Sequence, residues 1–260
     1  MRAPLWAAII LAGLALSAAA PAQPVASDIA PGGRLLVALL VTNPVLAIKK
    51  PDGTLVGMAP DLGRFIADKL GARFEPVSYQ DPQSLTASYG KNEWDILIGP
   101  RTEAATARAD FSPDVMLVDN LYLAAPGRDF AGADQVDRPG TKIAVARDGA
   151  PDQFLSRTLR HAALVRITGD IAETAEALRT GQADLYASNG ENVFMVAQRL
   201  PGARVLPGAV TTVRMAVALP KGRPPASLAA LAQIVTDAKA AGLVQRAIQA
   251  QDLKGVRPAP

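Results

Sequence analysis

Residues 34–41 read R-L-L-V-A-L-L-V, and this stretch decides the fold together with the segments that follow it. A run so uniformly apolar indicates a strand buried on both faces, as in a parallel sheet. Residues 60–71, P-D-L-G-R-F-I-A-D-K-L-G, place apolar side chains on one helical face between a starting proline and a capping glycine. Residues 73–79 alternate like a second strand, and residues 94–99 form a third apolar run. Strand, helix and strand in succession predict a doubly wound α/β sheet.

The same pattern begins again after Pro126. The predicted elements of this second unit are strand 141–147, helix 151–160, strand 164–168, helix 170–180, strand 183–188 and helix 191–200. A late strand at 213–219 and an apolar-faced helix remain after them. This surplus fits a chain that crosses back to complete its first unit, so the sequence predicts two α/β units in tandem.

The first 22 residues predict a cleaved signal peptide. Arg2 gives a positive start, residues 5–16 form an almost unbroken apolar stretch, and Ala20-Pro21-Ala22 fits the A-x-A pattern that signal peptidase reads. A membrane anchor is the alternative, but the apolar run is too short to span a bilayer comfortably. We therefore expect export to the periplasm, with the proline- and alanine-rich residues 23–33 as a flexible leader.

Composition excludes several classes of protein. The 260-residue sequence has no cysteine, which excludes disulfides, thiolate metal sites and the lipid-bearing cysteine of a lipoprotein. The formal net charge is +3 at pH 7 and the basic residues form no run, so nucleic acid binding is not expected. There is one histidine, His161, and no phosphate-binding glycine loop, H-E-x-x-H motif or nucleophile elbow. We predict neither a metal nor a cofactor.

Four motifs carry a resemblance to a known family. The first motif is D-G-T-L-V-G at 52–57, and the second is W-D-I-L-I-G at 94–99 with D-F-S at 110–112. The third is K-I-A-V-A-R at 142–147, and the fourth is A-L-R-T-G-Q-A-D at 177–184. Their order resembles the periplasmic solute-binding proteins of polar-amino-acid ABC importers, extracellular solute-binding protein family 3. The likeness extends from about residue 33 to 250.

The resemblance implies an α/β periplasmic-binding-protein-like fold, with two doubly wound lobes joined by a two-strand hinge and ligand held between them. Lobe 1 would comprise residues 34–120 and 214–255, and lobe 2 residues 121–213. Ligand contacts made by both lobes favour a closed form, which a membrane permease of an ABC importer can recognise. The expected partners are therefore a small-molecule ligand and that permease, and the protein is expected to be a monomer.

The family holds a ligand carboxylate with an arginine, and the resemblance places Ala105 at that position. Arg101 could offer a bidentate fork in the same space, next to Gly99, while Thr102 caps the following helix. We therefore predict Gly99, Arg101 and Thr102 in a site for a carboxylate; the alternative for Arg101 is a solvated surface position. Arg108 is interpreted as a surface residue.

The aromatic pairs that pack a ligand side chain in the family are replaced. Asn43-Pro-Val-Leu46 stands at one pair and Val115-Met116 at another. We predict Asn43 as a polar contact and Leu46 as a wall of the pocket, although Leu46 could equally be a core residue.

In the second lobe, Gly149 and Ala150 precede a helix, where unpaired backbone amides could meet an anion. Pro151 removes one of those amides, so a plain turn is an equal alternative. The family's amine-binding acid aligns with Asn189, whose amide cannot neutralise an ammonium group. Glu191 lies close enough in sequence to compensate, and we include Asn189 and Glu191 in the predicted ligand site.

Three functions remain open at this stage. The leading hypothesis is an importer-linked binding protein that is not an enzyme. The second is a periplasmic, dehydratase-like enzyme on the same fold, which would need a general acid or base in the cleft. The third is a protein-interaction subunit whose ligand site has decayed.

Overall fold

The computed structural model describes residues 23–260, so the predicted signal peptide at 1–22 lies outside the described residues. The elements up to the middle of the chain are α1 (Gln23–Ile29), β1 (Arg34–Leu40), β2 (Thr42–Asn43), β3 (Ala47–Lys49), β4 (Leu55–Val56), α2 (Met58–Leu70), β5 (Arg73–Tyr79), α3 (Pro82–Ala87), β6 (Ile96–Pro100), α4 (Glu103–Thr106), β7 (Ala109–Phe111) and β8 (Met116–Ala124). The later elements are β9 (Lys142–Ala146), α5 (Ala150–Thr158), β10 (Ala163–Ile167), α6 (Ile171–Arg179), β11 (Leu185–Asn189), α7 (Gly190–Arg199), β12 (Arg204–Val205), β13 (Thr211–Pro220), α8 (Pro225–Ala240), α9 (Leu243–Ala250) and β14 (Val256–Pro258). Short 3-10 turns lie at Pro31–Gly33 and Ala133–Gln135.

A continuous sheet connects both halves of the molecule in the order β10-β9-β11-β8-β13-β6-β1-β5. β5, β1 and β6 are parallel, as are β10, β9 and β11, and the two parallel sets flank the antiparallel pair β8 and β13. We call the part built on β1, β5 and β6 the first lobe and the part built on β9, β10 and β11 the second lobe. The predicted α/β fold of two doubly wound lobes is confirmed.

β8 and β13, the crossing strands, connect the lobes. Residues 116–120 of β8 pair with β13, and residues 120–124 pair with β11 in the second lobe. β13 continues in the other direction, where residues 215–218 pair with β6. The C-terminal strand β14 pairs with β8 at residues 116–118. The two-strand connection that the resemblance implied therefore has a third strand beside it.

Each face of the second-lobe sheet covers its own apolar cluster. Leu185 and Ala187 pack with Ile143 on one face, whereas Tyr186 packs with Ala144 on the other. This alternation is the expected consequence of the two-residue period of a strand. The first lobe has a larger cluster formed by β1, α2, α8 and α9.

The segment predicted as a flexible leader, residues 23–33, is folded onto the first lobe. α1 lies against α8, and Ile29 at its end is fully buried in the first-lobe core together with Ala30. The expectation was wrong because the few apolar side chains in this proline- and alanine-rich segment fall together on the face that meets the lobe.

Helix α2 agrees with its prediction except at its start. It begins at Met58, two residues before Pro60, which is still within the first turn where a missing amide costs nothing. It ends at Gly71, whose left-handed conformation (φ 64°) closes the predicted cap.

Gly57, the last residue of the D-G-T-L-V-G motif, has a steric reason to be glycine. Its φ is 130°, and a Cβ there would lie 2.5 Å from the carbonyl oxygen of Leu46. The Ala59 amide donates to the same oxygen at 3.0 Å. The motif therefore fixes the turn that contains Leu46 against the start of α2.

Within residues 23–260, a single helix long and apolar enough to cross a membrane is not found. α8 and α9 reach the required length and composition only when taken together, and they are bent by 55° at their junction.

Candidate functional site

A cavity of about 490 Å³ opens where the first-lobe strands β1 and β6 end, and we call it the cleft cavity. Binding at the carboxyl ends of parallel strands is the general rule for open α/β sheets. The residues that line it are Leu40, Asn43, Leu46, Pro82, Leu85, Thr86, Tyr89, Leu97, Pro100, Thr102, Ala104, Ala105, Arg108 and Gln153. Gln153 belongs to α5 of the second lobe, so both lobes contribute to the cavity.

Asn43 is the last residue of β2, and Leu46 lies in the turn that leads to β3. Asn43 Oδ1 accepts a hydrogen bond from the Val45 amide at 3.0 Å, and the Leu46 amide donates to the Asn43 carbonyl at 2.9 Å. Leu46 is buried and belongs to the first-lobe core as well as to the cavity wall. Both predicted residues therefore line the cavity, and the Asn43 side chain keeps its amide N–H groups available.

Helix α3 and the residues after it supply a wall that the sequence analysis missed. Asp81 caps α3 by accepting from the Ser84 amide at 2.7 Å. Beyond the helix, Tyr89 meets Trp94 edge to face, with ring centroids 5.5 Å apart. The Trp94 indole donates to Ser88 Oγ at 2.8 Å, which holds the pair in place. Tyr89 therefore brings an aromatic side chain to the cavity from a position other than the two replaced pairs.

Thr102 and Arg108 stand at the two ends of the short helix α4. The Thr102 hydroxyl caps the helix by accepting from the Ala105 amide at 3.1 Å, as predicted. The Arg108 amide donates to the Ala105 carbonyl at 2.9 Å, which continues the turn past the end of the helix. Arg108 is exposed, as predicted for a surface residue, and it also lines the cavity.

Arg108 is the one positively charged residue among the described residues that line the cleft cavity. Its guanidinium has no hydrogen-bond or ion-pair partner anywhere in residues 23–260. Burial raises the pKa of the Tyr89 hydroxyl above its ordinary value, while the positive charge of Arg108 acts to lower it. None of the described residues lining the cavity is Asp or Glu. The charge carried by the described lining residues is therefore positive, and the wall itself presents no carboxylate to an approaching anion.

The structure does not place Arg101 in the cavity. The Arg101 guanidinium pairs with Asp114, and its backbone amide donates to the Arg214 carbonyl on β13 at 2.8 Å. Gly99 is buried in β6, beside the lining residue Pro100. The partner of Arg101 lies thirteen residues later, a contact that local sequence does not indicate, and Arg101 is not among the residues that line the cavity.

The amides around Gly149 and Ala150 are largely used within the protein. Gly149 donates to the Ala146 carbonyl at 3.0 Å, and the Asp148 amide donates to the Asp152 carboxylate at 3.0 Å. That carboxylate also places a negative charge at the helix start, where an anion would otherwise be favoured. Neither Gly149 nor Ala150 is among the residues that line the cavity. The two hydrogen bonds above fit the plain turn, and an anion contact at Gly149 and Ala150 stays a prediction.

Asn189 and Glu191 both form hydrogen bonds within the protein. Asn189 caps α7 by accepting from the Asn192 amide at 2.9 Å. Glu191 accepts from the Lys254 amide at 2.6 Å and so binds the segment leading to β14. Neither residue is among those lining the cavity, so their role as ligand contacts stays a prediction.

Residues 23–260 hold no group of three His, Cys, Asp or Glu side chains arranged to bind a metal ion. The described residues that line the cavity offer apolar walls, hydroxyl and amide groups and one guanidinium.

Residues 35–250 match the model of the bacterial extracellular solute-binding proteins, family 3. The chain belongs to this family. No curated protein matches the sequence. The resemblance seen in the four motifs is thereby confirmed.

Solved structures similar to this family 3 protein share its fold at low identity. A mutant of ArgBP from T. maritima is 19% identical with a TM-score of 0.61, and the match covers 88% of this chain and 99% of that one. A binding component of an ABC transporter from Wolinella succinogenes, complexed with lysine, is 20% identical with a TM-score of 0.67, covering 84% and 95%. An ancestral cyclohexadienyl dehydratase is 21% identical with a TM-score of 0.55, covering 85% and 93%. Both binding proteins and an enzyme are thus similar to this family 3 protein in fold.

Proposed function

We propose that this family 3 protein binds a small carboxylate-bearing solute between its lobes and delivers it to the membrane permease of an ABC importer. The observation that supports this most is the cleft cavity, to which Gln153 of the second lobe contributes beside the first-lobe residues. Its volume of about 490 Å³ is in the range of small-molecule sites. A solute that touches both lobes would stabilise the closed arrangement.

The proposal includes the compartment and the partners. A signal peptide at residues 1–22 would send the protein to the periplasm, where it would act as a monomer. A structural neighbour complexed with lysine is the binding component of an ABC transporter, which supports a permease as the second partner.

We propose that the first lobe comprises residues 34–120 and 214–255 and that the second lobe comprises residues 121–213. These bounds are supported by the buried apolar clusters, because the second-lobe clusters contain only residues between 121 and 210. To the first lobe we add α1, whose buried end joins its core.

Within the cavity we propose Asn43, Leu46 and Thr102 as ligand-contacting residues, with Gly99 shaping the floor through Pro100. Tyr89 adds an aromatic surface, and stacking or edge contacts with such a ring stabilise apolar ligands.

Catalysis is not part of the proposal. A dehydratase needs a general acid or base whose pKa suits proton transfer near neutral pH. Among the described residues that line the cavity, the titratable ones are Tyr89 and Arg108, and burial raises the pKa of Tyr89 further from neutrality.

A thermal-denaturation screen tests the proposal. The mature protein, unfolded and refolded to remove bound solute, is heated with small carboxylates, amino acids and amines, and each mixture is then analysed by mass spectrometry. We expect a saturable rise in melting temperature with at least one carboxylate and no change in the solute. Consumption of the solute would establish an enzyme instead. No rise with any solute, together with a stable complex with a periplasmic protein, would favour the interaction subunit.

A further inference from the structure

Most of the polar groups that the cleft cavity leaves open can donate hydrogen bonds. Asn43 Oδ1 already accepts from the Val45 amide, so the side chain offers its N–H groups. Thr102 Oγ1 already accepts from the Ala105 amide, so its hydroxyl proton is free to be donated. Thr86 donates its hydroxyl proton to the Pro82 carbonyl at 2.7 Å and offers little to a ligand. Gln153 donates through Nε2 to the Asp148 carbonyl at 2.9 Å and leaves its Oε1 as an acceptor. Donors still predominate on the first-lobe wall, which favours a ligand that brings acceptors.

Arg108 extends this set of donors with a full positive charge. Other arginines of the protein are held by carboxylates, for example Arg166 by Asp152 at 2.9 Å and Arg128 by Asp184 at 2.8 Å. In the described part of the chain, Arg108 has no such carboxylate, and the same holds for other exposed arginines such as Arg157. Arg108 differs from Arg157 in that it lines the cavity. A guanidinium with free N–H groups suits a planar carboxylate that accepts two parallel hydrogen bonds.

Among the described residues, the cavity wall has no carboxylate to neutralise an ammonium ion. The lining residues from the described chain include no Asp or Glu, and Asn189 and Glu191, which sequence suggested for that role, are engaged elsewhere. An ammonium group buried without a partner loses its hydration and is strongly disfavoured, and Arg108 adds like-charge repulsion.

The rest of the wall is apolar. Leu40, Leu46, Leu85 and Leu97 surround the space with two prolines and the ring of Tyr89. Such walls favour a hydrocarbon body, because burying it removes apolar surface from water.

We propose that Arg108 is a ligand-binding residue and that the ligand is a monocarboxylate with a branched or aromatic hydrocarbon body and no ammonium group. This inference rests on the proposed function, since it names the solute class of the same cavity. Arg108 pairs with the carboxylate, Asn43 and Thr102 donate to its remaining lone pairs, and the leucines and Tyr89 enclose the body.

Calorimetric titration of the refolded mature protein tests this with matched solutes. The first set is 3-phenylpropanoate, L-phenylalanine and 3-phenylpropanamide. The second set is 4-methylpentanoate, L-leucine and 4-methylpentanamide. Within each set only the ammonium or the carboxylate charge changes. We expect at least one carboxylate to bind, and its α-amino and amide counterparts to bind about tenfold more weakly or worse.

Variants assign the effect to Arg108. Arg108→Ala is expected to weaken carboxylate binding by about 10- to 100-fold, and Arg108→Lys by less, because the charge remains without the planar fork. Arg157→Ala is the control: it removes the same charge from an exposed position on α5 and should leave the affinity unchanged. Circular dichroism checks that the variants fold.

The outcomes separate this inference from the proposed function. An α-amino acid or amine that binds as tightly as the carboxylates, or a carboxylate affinity unchanged by Arg108→Ala, overturns the inference and leaves the binding function standing. If none of the six solutes binds, the inference is overturned, and the proposed function fails as well only if the broader thermal screen is also negative.

Discussion

Asp95 and Asp184 have equivalent positions in the two lobes. The Asp95 carboxylate accepts from the Leu36 amide at 2.9 Å, while its own amide donates to the Leu36 carbonyl at 2.9 Å. Asp184 makes the same pair of bonds with Lys142, each at 2.8 Å. Each aspartate thus fixes the start of one parallel strand against its neighbour. The flanking arginines are Arg223, 3.3 Å from Asp95, and Arg128, 2.8 Å from Asp184.

A third aspartate, Asp152, stabilises the start of α5. Its buried carboxylate accepts from the Asp148 amide at 3.0 Å, from Ser156 Oγ at 3.0 Å and from Arg166 at 2.9 Å. Burial alone would raise the pKa of this carboxyl, but these bonds outweigh it and hold the pKa below the ordinary 3.8. Because the folded pKa is depressed, the stabilisation is present above pH 3.8 and is lost as pH falls through the folded pKa.

We therefore expect Asp152→Asn to lower the free energy of unfolding by about 1–3 kcal/mol at pH 7, the usual range for hydrogen bonds to a charged group. The difference from the unchanged protein should shrink as the pH is lowered below about 4. Denaturant unfolding at pH 7, 5 and 3 measures it. Asp129→Asn, at an exposed position, is the control and should change little. A penalty that stays the same at pH 3 would contradict this account of Asp152.

At the scale of elements, the C-terminal strand β14 fastens the crossing strands to the second lobe. Arg257 on β14 pairs with Asp119 of β8, and the Asp119 amide donates to the Gly255 carbonyl at 2.8 Å. The Lys254 amide reaches Glu191 at the start of α7. The segment from Lys254 to β14 therefore touches both the connection between the lobes and the second lobe itself.

Gly190 lets this segment approach α7. A Cβ at Gly190 would lie 2.2 Å from the Lys254 carbonyl oxygen and 2.9 Å from the Gly255 nitrogen, both backbone atoms. Gly190→Ala should therefore displace the segment and destabilise the protein by about 1–3 kcal/mol. Chemical denaturation measures the loss, and hydrogen exchange should show faster exchange of the Lys254 amide.

Gly132→Ala is the matched control for that substitution. The atom nearest a Cβ there, at 2.8 Å, is the end of the exposed Asp134 side chain, which can rotate away. The control should cost little. Equal stability of the two variants would show that the contact at Gly190 has no energetic role.

The elements that sequence predicted well are those with a strong period or a buried run. α2 and the parallel strands follow from the spacing of apolar residues. Motif residues such as Asp95 and Gly57 have structural roles: Asp95 accepts from the backbone of β1, and Gly57 leaves room for the Leu46 carbonyl. α1 was missed because a segment with so few apolar side chains has a weak helical pattern, and only packing on the first lobe orders it.

The site was less predictable, for a physical reason. Asn43, Leu46 and Thr102 line the cavity because they belong to local turns and a helix cap, which sequence indicates. Whether an arginine forms an ion pair depends on residues that are distant in sequence. Arg101 pairs with Asp114, whereas Arg108 forms no ion pair with any described residue. Tyr89 lies outside every motif, so only the tertiary fold brings it to the cavity.

At the scale of the whole molecule, two lobes with separate cores share one sheet and meet over the cleft cavity. The first lobe supplies most of the wall and α5 of the second lobe supplies Gln153. A bound solute would therefore bridge bodies that are otherwise joined through the crossing strands and β14, and such bridging shifts the population towards closure.

Calorimetric titration of a cavity-filling variant tests the central claim, that this cavity is the solute site. Ala104 is exposed and lines the cavity, whereas Ala107 is exposed on the same turn without lining it. With the carboxylate that binds the unchanged protein best, we expect Ala104→Trp to abolish measurable binding, because the indole occupies the space of the ligand. Ala107→Trp should bind as the unchanged protein does. Equal binding by the two variants would place the solute elsewhere and contradict the account.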